Sequence, residues 1–397
     1  MASVVNAERI HIGIFGSRNA GKSSLINRLT NQDIAIVSDT PGTTTDPVKK
    51  SMEMAPIGPV VIIDTPGIDD DGDLGKLRVK KTKQVLNYVD IAIVVLDFSK
   101  DVSEADTKLI DLIKEKKIPY LVVHNKVDLA GGIPEFMQAE IYTSAKDNEG
   151  IDHLREEIAK LVKSKEEKKI LQGVVKEGDR VVLVIPIDSG APKGRIILPQ
   201  QLVLRELIDK KAIVTVVSPD TLEDALNNMK DKPNLVITDS QVFGIVNKIV
   251  PDDILLTSFS ILFARYKGNL ETLVSGVNGL DDLNDGSVVL ISEGCSHHRQ
   301  CEDIGTVKMP KWIKDYTGKN IIFEFTSGGE FPEDLSKYDL IVHCGGCMIN
   351  EREMQYRLKH ASDSNILITN YGMAIAKMHG ILNRSLKPFK EMGSFIK

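Results

Sequence analysis

Short apolar runs alternate with longer amphipathic stretches along nearly the whole chain. In the first part the apolar runs are 10–15, 60–64, 91–97, 120–125 and 140–143. Each is apolar through most of its length, the pattern of a parallel strand covered by helices on both faces. The charged stretch 163–169, KSKEEKK, closes this part and reads as a solvated helix end that doubles as a linker. A second α/β unit follows, with strands expected at 180–187, 212–217 and 234–238 and helices at 200–210 and 221–230. Its turn 188–194, DSGAPKG, is rich in breakers and reads as a loop or a contact surface. From about Asn269 a third unit is expected, with strands 288–292, 320–325, 339–343 and 365–369. Its helices are expected at 308–316, 351–361 and 373–382. No internal repeat or low-complexity tract is evident. The expectation is an α/β chain of three domains, 1–168, 169–268 and 269–397.

The length of 397 residues agrees with that division, at roughly 150 residues per domain. Net charge is −6 with both signs interspersed, which argues against a dedicated nucleic-acid or membrane-surface binder. No apolar run approaches the ~18–20 residues of a membrane span. The N-terminal residues lack the charged start, apolar centre and cleavage site of a secretory signal. A cytoplasmic location is expected. All four cysteines, Cys295, Cys301, Cys344 and Cys347, lie in the third unit. In a reducing compartment, clustered cysteines read as metal ligands or redox groups before disulfides.

The chemistry of the first unit is the most specific signal. Residues 16–23, GSRNAGKS, fit G-x-x-x-x-G-K-S/T between an expected strand and an expected helix. The backbone N–H groups of Gly16, Asn19, Ala20, Gly21, Lys22, Ser23 and Ser24 would cradle phosphate oxygens. Lys22 would bridge the β- and γ-phosphates, and Ser23 would ligate Mg²⁺. Asp64, in DTPG, would hold Mg²⁺ through water, and the Gly67 N–H would meet the γ-phosphate. Asn125, Lys126 and Asp128 form NKVD. The Asp128 carboxylate offers two acceptors to the N1–H and N2–H₂ donors of guanine, which adenine lacks, so the site selects GTP. Ser144, Ala145 and Lys146 would support the base. Thr44, in the cluster Thr43–Thr45, is the switch threonine expected at Mg²⁺. Five elements in this order exclude chance Gly/Ser loops.

The motifs NAGKSSL, PGTTTD, DTPG, NKVD and SAK resemble the translation-factor-related GTPases of the Era and TrmE type. After Gly67 stands Ile68, where Ras-like enzymes carry a water-positioning glutamine. Such GTPases need another source of transition-state stabilisation. Asn19 matches the P-loop asparagine that ligates K⁺ in the potassium-dependent members. A cation there can act electrostatically like an arginine finger.

Cys295 and His297 form C-x-H, and His343, Cys344 and Cys347 form H-C-x-x-C. Both groups follow expected strands, so both fall at carboxyl ends, where open α/β sheets place ligands. The residue types alone leave zinc and iron–sulfur open. The joint pattern, downstream of a GTPase domain, resembles the HydF family of [FeFe]-hydrogenase maturation GTPases. The segments VLVIPIDSGAPKG (182–194) and VHCGGCMIN (342–350) resemble it too, so the likeness spans all three units.

That resemblance implies GTP hydrolysis in the first unit, homodimerisation through the middle one, and a [4Fe–4S] cluster on Cys295, Cys344 and Cys347 in the third. It implies a scaffold that carries a two-iron organometallic precursor. Two radical-SAM maturases would supply or build the precursor, and the apo-[FeFe]-hydrogenase would receive it. Cys301 stands outside the family pattern. It could complete the shell or be a bystander, and Glu302 and Asp303 beside it are alternative donors. His297 and His343 could be ligands or could hydrogen-bond the site. An RNA-associated GTPase, the rival reading, would need a basic, aromatic-rich appendage. Residues 170–397 lack one.

Overall fold

The computed structural model describes residues 6–31, 47–68, 73–130, 140–163, 168–187, 196–294 and 304–393. The chain forms two compact units, Met1–Glu167 and Lys168–Lys397.

In the first unit the order is β1 (Ile10–Phe15), α1 (Lys22–Thr30), β2 (Val48–Met54), β3 (Gly58–Asp64), α2 (Asp73–Leu86) and β4 (Ile91–Asp97). Then come α3 (Glu104–Glu115), β5 (Tyr120–Asn125), β6 (Ile141–Thr143) and α4 (Ile151–Lys163). The strands form one sheet in the order β2-β3-β1-β4-β5-β6, parallel except for β2. Alternation along β1 serves two cores. Ile12 and Ile14 pack with Leu25 of α1 and Leu154 of α4. Phe15 packs on the other face with Leu86 of α2 and Leu109 of α3. The antiparallel edge strand β2 was not anticipated. Its sequence, VKKSMEM, is exposed over most of its length and has no apolar run.

The second unit carries two four-stranded parallel sheets on one continuous hydrophobic core. The first half runs β7 (Arg180–Val184), α5 (Leu198–Asp209), β8 (Ile213–Val217), α6 (Leu222–Asn228), β9 (Leu235–Thr238), α7 (Phe243–Ile249), β10 (Leu255–Ser258) and α8 (Phe259–Lys267). The second half runs α9 (Leu270–Gly276), β11 (Val288–Ser292), α10 (Met309–Thr317), β12 (Ile322–Thr326), β13 (Leu340–His343), α11 (Glu351–Asp363), β14 (Leu367–Asn370), α12 (Tyr371–Met378) and α13 (Leu382–Leu386).

The two sheets have the same topology, β8-β7-β9-β10 and β12-β11-β13-β14. No sequence repeat evident along the chain announced this shared topology. In each, the fourth strand runs directly into a helix whose N-cap side chain accepts a backbone N–H: Ser258 from Ile261, and Asn370 from Met373. Read in that register, LLTSFSILFARYKG (255–268) faces LITNYGMAIAKMHG (367–380). Apolar character is kept at almost every buried position, while identity is sparse. In both halves the second strand lies at an edge, with its first and fourth residues exposed. These are Ile213 and Val216 in β8, and Ile322 and Phe325 in β12. No described helix is long and apolar enough to cross a membrane.

Candidate functional site

The loops after β1, β3, β5 and β6 converge at the carboxyl edge of the first sheet. Lys22 opens α1 and is buried. Its ammonium donates to the carbonyls of Gly16 (2.9 Å) and Ser17 (2.8 Å), so the side chain lies along the inner wall of its own loop. Ser23 Oγ donates to Asp64 Oδ2 at 2.8 Å, which unites the two side chains expected at Mg²⁺. Burial raises the Asp64 pKa, opposed by the Ser23 hydrogen bond and the Lys22 charge.

Two glycines are needed for close approach. Gly21 has φ +90°, and a Cβ there would lie 2.2 Å from Asn125 Nδ2. At Gly67 a Cβ would lie 2.9 Å from the Arg18 backbone nitrogen, so DTPG rests against the phosphate loop. Asn19 is exposed at the tip of that loop with φ +60°, a conformation asparagine tolerates.

The base side is joined by buried hydrogen bonds. Asn125 Nδ2 donates to the Ala20 carbonyl at 3.0 Å. Asn125 Oδ1 accepts from the Ala145 N–H at 3.1 Å and from Thr143 Oγ1 at 3.2 Å. Asp128 accepts from Ser144 Oγ at 2.9 Å and has Lys146 Nζ at 3.8 Å. A cavity of about 900 Å³ opens here, lined by Gly21, Ser24, Asn125, Asp128 and Lys146 among others. That volume suits a nucleotide.

Sequence reasoning missed three supports. Arg28 of α1 donates to the Ala145 (2.8 Å) and Lys146 (3.1 Å) carbonyls. Asp97 holds Lys126 at 2.6 Å, and Asp106 accepts from Ser17 Oγ at 2.8 Å. None lies in a motif, so no local pattern marked them. Thr43, Thr44 and Thr45 lie outside the described residues.

In the second unit β11 and β13 are adjacent and parallel, with Ser292 paired to His343. Gly294, the residue before Cys295, donates its N–H to Cys344 Sγ at 3.1 Å, and Gly346 N–H lies at 3.4 Å. The chain leading into C-x-H therefore touches the first cysteine of H-C-x-x-C. Burial pushes the Cys344 thiol up to about 11, the two N–H bonds acting against it. A bare thiolate is disfavoured here, while a bound metal would stabilise one.

His343 is fully buried and pushed down to about 3, first by burial and then by the neighbouring Arg357 charge. Its Nε2 lies 2.9 Å from Arg357 Nη1, and its Nδ1 lies 2.7 Å from the Cys344 carbonyl. Arginine can only donate, so Nε2 accepts and Nδ1 carries the proton. Both ring nitrogens are engaged, which leaves no lone pair for a metal. Cys295, His297, Cys301, Glu302 and Asp303 lie outside the described residues. Among those described, no group of three or more His, Cys, Asp or Glu is placed to hold an ion.

Comparison with known proteins follows the same division. A model described as "50S ribosome-binding GTPase" matches residues 11–126. The "Hydrogen maturase F dimerization domain" matches 170–268, and the "Hydrogen maturase F tetramerization domain" matches 271–388. The last two together cover more than half of the chain. Similar curated proteins include the tRNA modification GTPase MnmE of Nitrosomonas europaea, 36% identical over 158 residues. That match covers 38% of this chain and 35% of the relative. MnmE of Finegoldia magna is 38% identical over 157 residues, covering 38% of this chain and 34% of the relative. The chain thus spans about a third of the length of the curated relatives it matches. Among solved structures, an Aquifex aeolicus Era variant bound to GDP and tetrafluoroaluminate is 19% identical. It covers 52% of this chain and 92% of its own, with a TM-score of 0.35.

Proposed function

The chain belongs to the hydrogen maturase F family, and from that premise we propose that it hydrolyses GTP and serves hydrogenase maturation as a cluster-bearing scaffold and carrier. In the nucleotide unit, Lys22 would turn from the carbonyls it now meets toward the β- and γ-phosphates. Ser23, Asp64 and the switch threonine Thr44 would hold Mg²⁺. Asn19 would hold K⁺, supplying charge that Ile68 cannot. Asp128, braced by Ser144, would read guanine.

In the last part of the chain, Cys295, Cys344 and Cys347 would hold a [4Fe–4S] cluster. The donor set fits: soft sulfur ligands, at the carboxyl ends of neighbouring strands, with backbone N–H groups aimed at Cys344 Sγ. When bound, the cluster supplies an iron with one exchangeable position. His343 is spoken for by Arg357, so the fourth place falls to His297, Cys301, Glu302, Asp303 or water. A carrier needs that place to exchange, which a fourth thiolate would resist. The cargo would be the two-iron precursor, taken from two radical-SAM maturases and passed to apo-[FeFe]-hydrogenase.

The middle part would make a homodimer through the exposed edge of β8. The observation that supports the reading is the Gly294–Cys344 contact, which sets the residue before Cys295 against Cys344. Iron and sulfide analysis with EPR on anaerobically reconstituted protein tests it. Cys301→Ser should keep the cluster and the activation of apo-hydrogenase, and Cys344→Ser should lose both. Equal loss in the two variants refutes the exchangeable site. Zinc in place of iron refutes the scaffold reading.

A further inference from the structure

α3 carries a carboxylate on the face that it buries. Asp106, Leu109 and Ile113 stand three and four residues apart, so they share one side of the helix, and all three are buried. Leu109 and Ile113 pack in one core with Phe15, the last residue of β1. Asp106 stands at the N-terminal end of that stripe and is 5% exposed.

Its two oxygens have separate tasks. Oδ2 accepts from Ser103 Oγ at 2.6 Å and from the Ser103 N–H at 3.4 Å. The Asp106 N–H donates back to Ser103 Oγ at 3.1 Å, and this reciprocal pair caps α3. Oδ1 accepts from Ser17 Oγ at 2.8 Å, and Ser17 is the second residue of GSRNAGKS. Burying an ionised carboxylate is costly unless donors meet it. The positive end of the α3 dipole offsets part of that cost. Capping needs one oxygen, so burial of the other answers to the phosphate loop.

Ser17 is held from two directions, its hydroxyl by Asp106 and its carbonyl by Lys22 Nζ at 2.8 Å. When Lys22 turns to the phosphates, as proposed above, the carbonyl loses that partner and the hydroxyl keeps its own. The next residue, Arg18, abuts Gly67, so a shift of Ser17 would pass on to DTPG.

We propose that Asp106 shapes the phosphate loop through Ser17 before GTP arrives, so that Lys22 can change partners without the loop collapsing. This rests on the GTP reading above. Asp106 reaches the loop through the Ser17 hydroxyl and is a positioning residue. A loop that must be ordered on binding draws on the binding free energy, so the loss falls on affinity and not on turnover at saturation.

The test compares full-length wild type, S17A, D106A, S17A/D106A, S103A and D111N, the last a change at an exposed position of α3. The readouts are the GTP dissociation constant, KM and kcat for hydrolysis, and the unfolding temperature without nucleotide. S17A and D106A should each weaken GTP binding roughly tenfold, the lower end of what a hydrogen bond to a charged group supplies. The double variant should be no weaker than D106A, because both changes remove the same bond. KM should rise with the dissociation constant while kcat stays within about twofold of wild type. S103A should lower the unfolding temperature through the lost cap yet keep the wild-type affinity. D111N should match wild type in all readouts.

An S17A variant that binds GTP as wild type does overturns the proposal. So does a double variant whose loss is the product of the two single losses. S103A weakening GTP as far as D106A would make Asp106 a helix cap alone, and a fall in kcat at unchanged KM would put its effect in the chemical step; either result overturns the proposal too. If D106A fails to fold, S17A against S103A still decides, because Ser17 lies outside the helix. A wild-type protein that binds no GTP overturns the nucleotide reading, and the proposal with it.

Discussion

Replacing Asp128 by asparagine tests the proposed selection of guanine. The Asp128 carboxylate lies in the cavity wall, accepting from Ser144 Oγ at 2.9 Å with Lys146 Nζ 3.8 Å away. In the proposed role its two acceptor oxygens would meet two guanine donors, N1–H and N2–H₂. Each hydrogen bond to a charged group contributes ~1.5–3 kcal/mol. In Asp128→Asn one oxygen becomes an NH₂ group facing the guanine amine, so one bond is lost and two donors oppose each other. The loss of ~2–3 kcal/mol corresponds to a GTP dissociation constant raised roughly 30- to 150-fold. Xanthine carries a carbonyl where guanine carries its amine. The asparagine NH₂ can donate to that oxygen while its carbonyl accepts from N1–H. Xanthosine triphosphate should therefore bind the variant better than GTP does, reversing the wild-type order. Competition of GTP, ATP and xanthosine triphosphate against a fluorescent guanine nucleotide measures all three constants. Circular dichroism confirms that the variant is folded. If the wild-type preference survives in Asp128→Asn, Asp128 does not read the base, and the assignment of the cavity fails.

The remaining expectations concern the phosphate loop and the sheet edge. GTP hydrolysis should run at least about tenfold faster in KCl than in NaCl at equal ionic strength, as electrostatic stabilisation of the transition state would have it, and Asn19→Ala should abolish the difference. Equal rates in wild type would remove the cation. Val216→Lys places a charge on the exposed edge strand β8 and should shift the protein toward smaller species in sedimentation at fixed concentration. An unchanged distribution would move the dimer contact elsewhere.

Strands buried on both faces were legible as continuous apolar runs. β1, β4, β5 and β11 fall where the pattern placed them, end for end. Two strands without such a separate run were missed. β2 is a polar, antiparallel edge. β10 has four residues and no turn before α8, so strand and helix merge into one apolar stretch, ILLTSFSILFARY. The shared topology of the two halves escaped for a related reason: packing preserves apolar character at matched positions, while few residues are identical. At the site, glycines, Lys22 and Asp64 were legible because phosphate and metal chemistry demand those types at fixed spacing. Arg28 and Arg357 were not. A single cation on an amphipathic helix looks solvated until the neighbouring elements are folded against it.

The paired edges of the second unit bear on how large an assembly can grow. A strand edge that binds its own copy does so about a two-fold axis. If β8 and β12 each bind a copy, one chain carries two such axes. Two rotations that meet at right angles generate a closed group of four subunits. Axes that meet at other whole fractions of a half-turn close at larger numbers, whereas axes that do not meet generate a set that never closes, and the product is a filament. The angle between the axes is set inside one polypeptide, by the shared hydrophobic core that locks the two sheets together. Substitutions deep in that core, far from any surface, would then decide whether assembly ends.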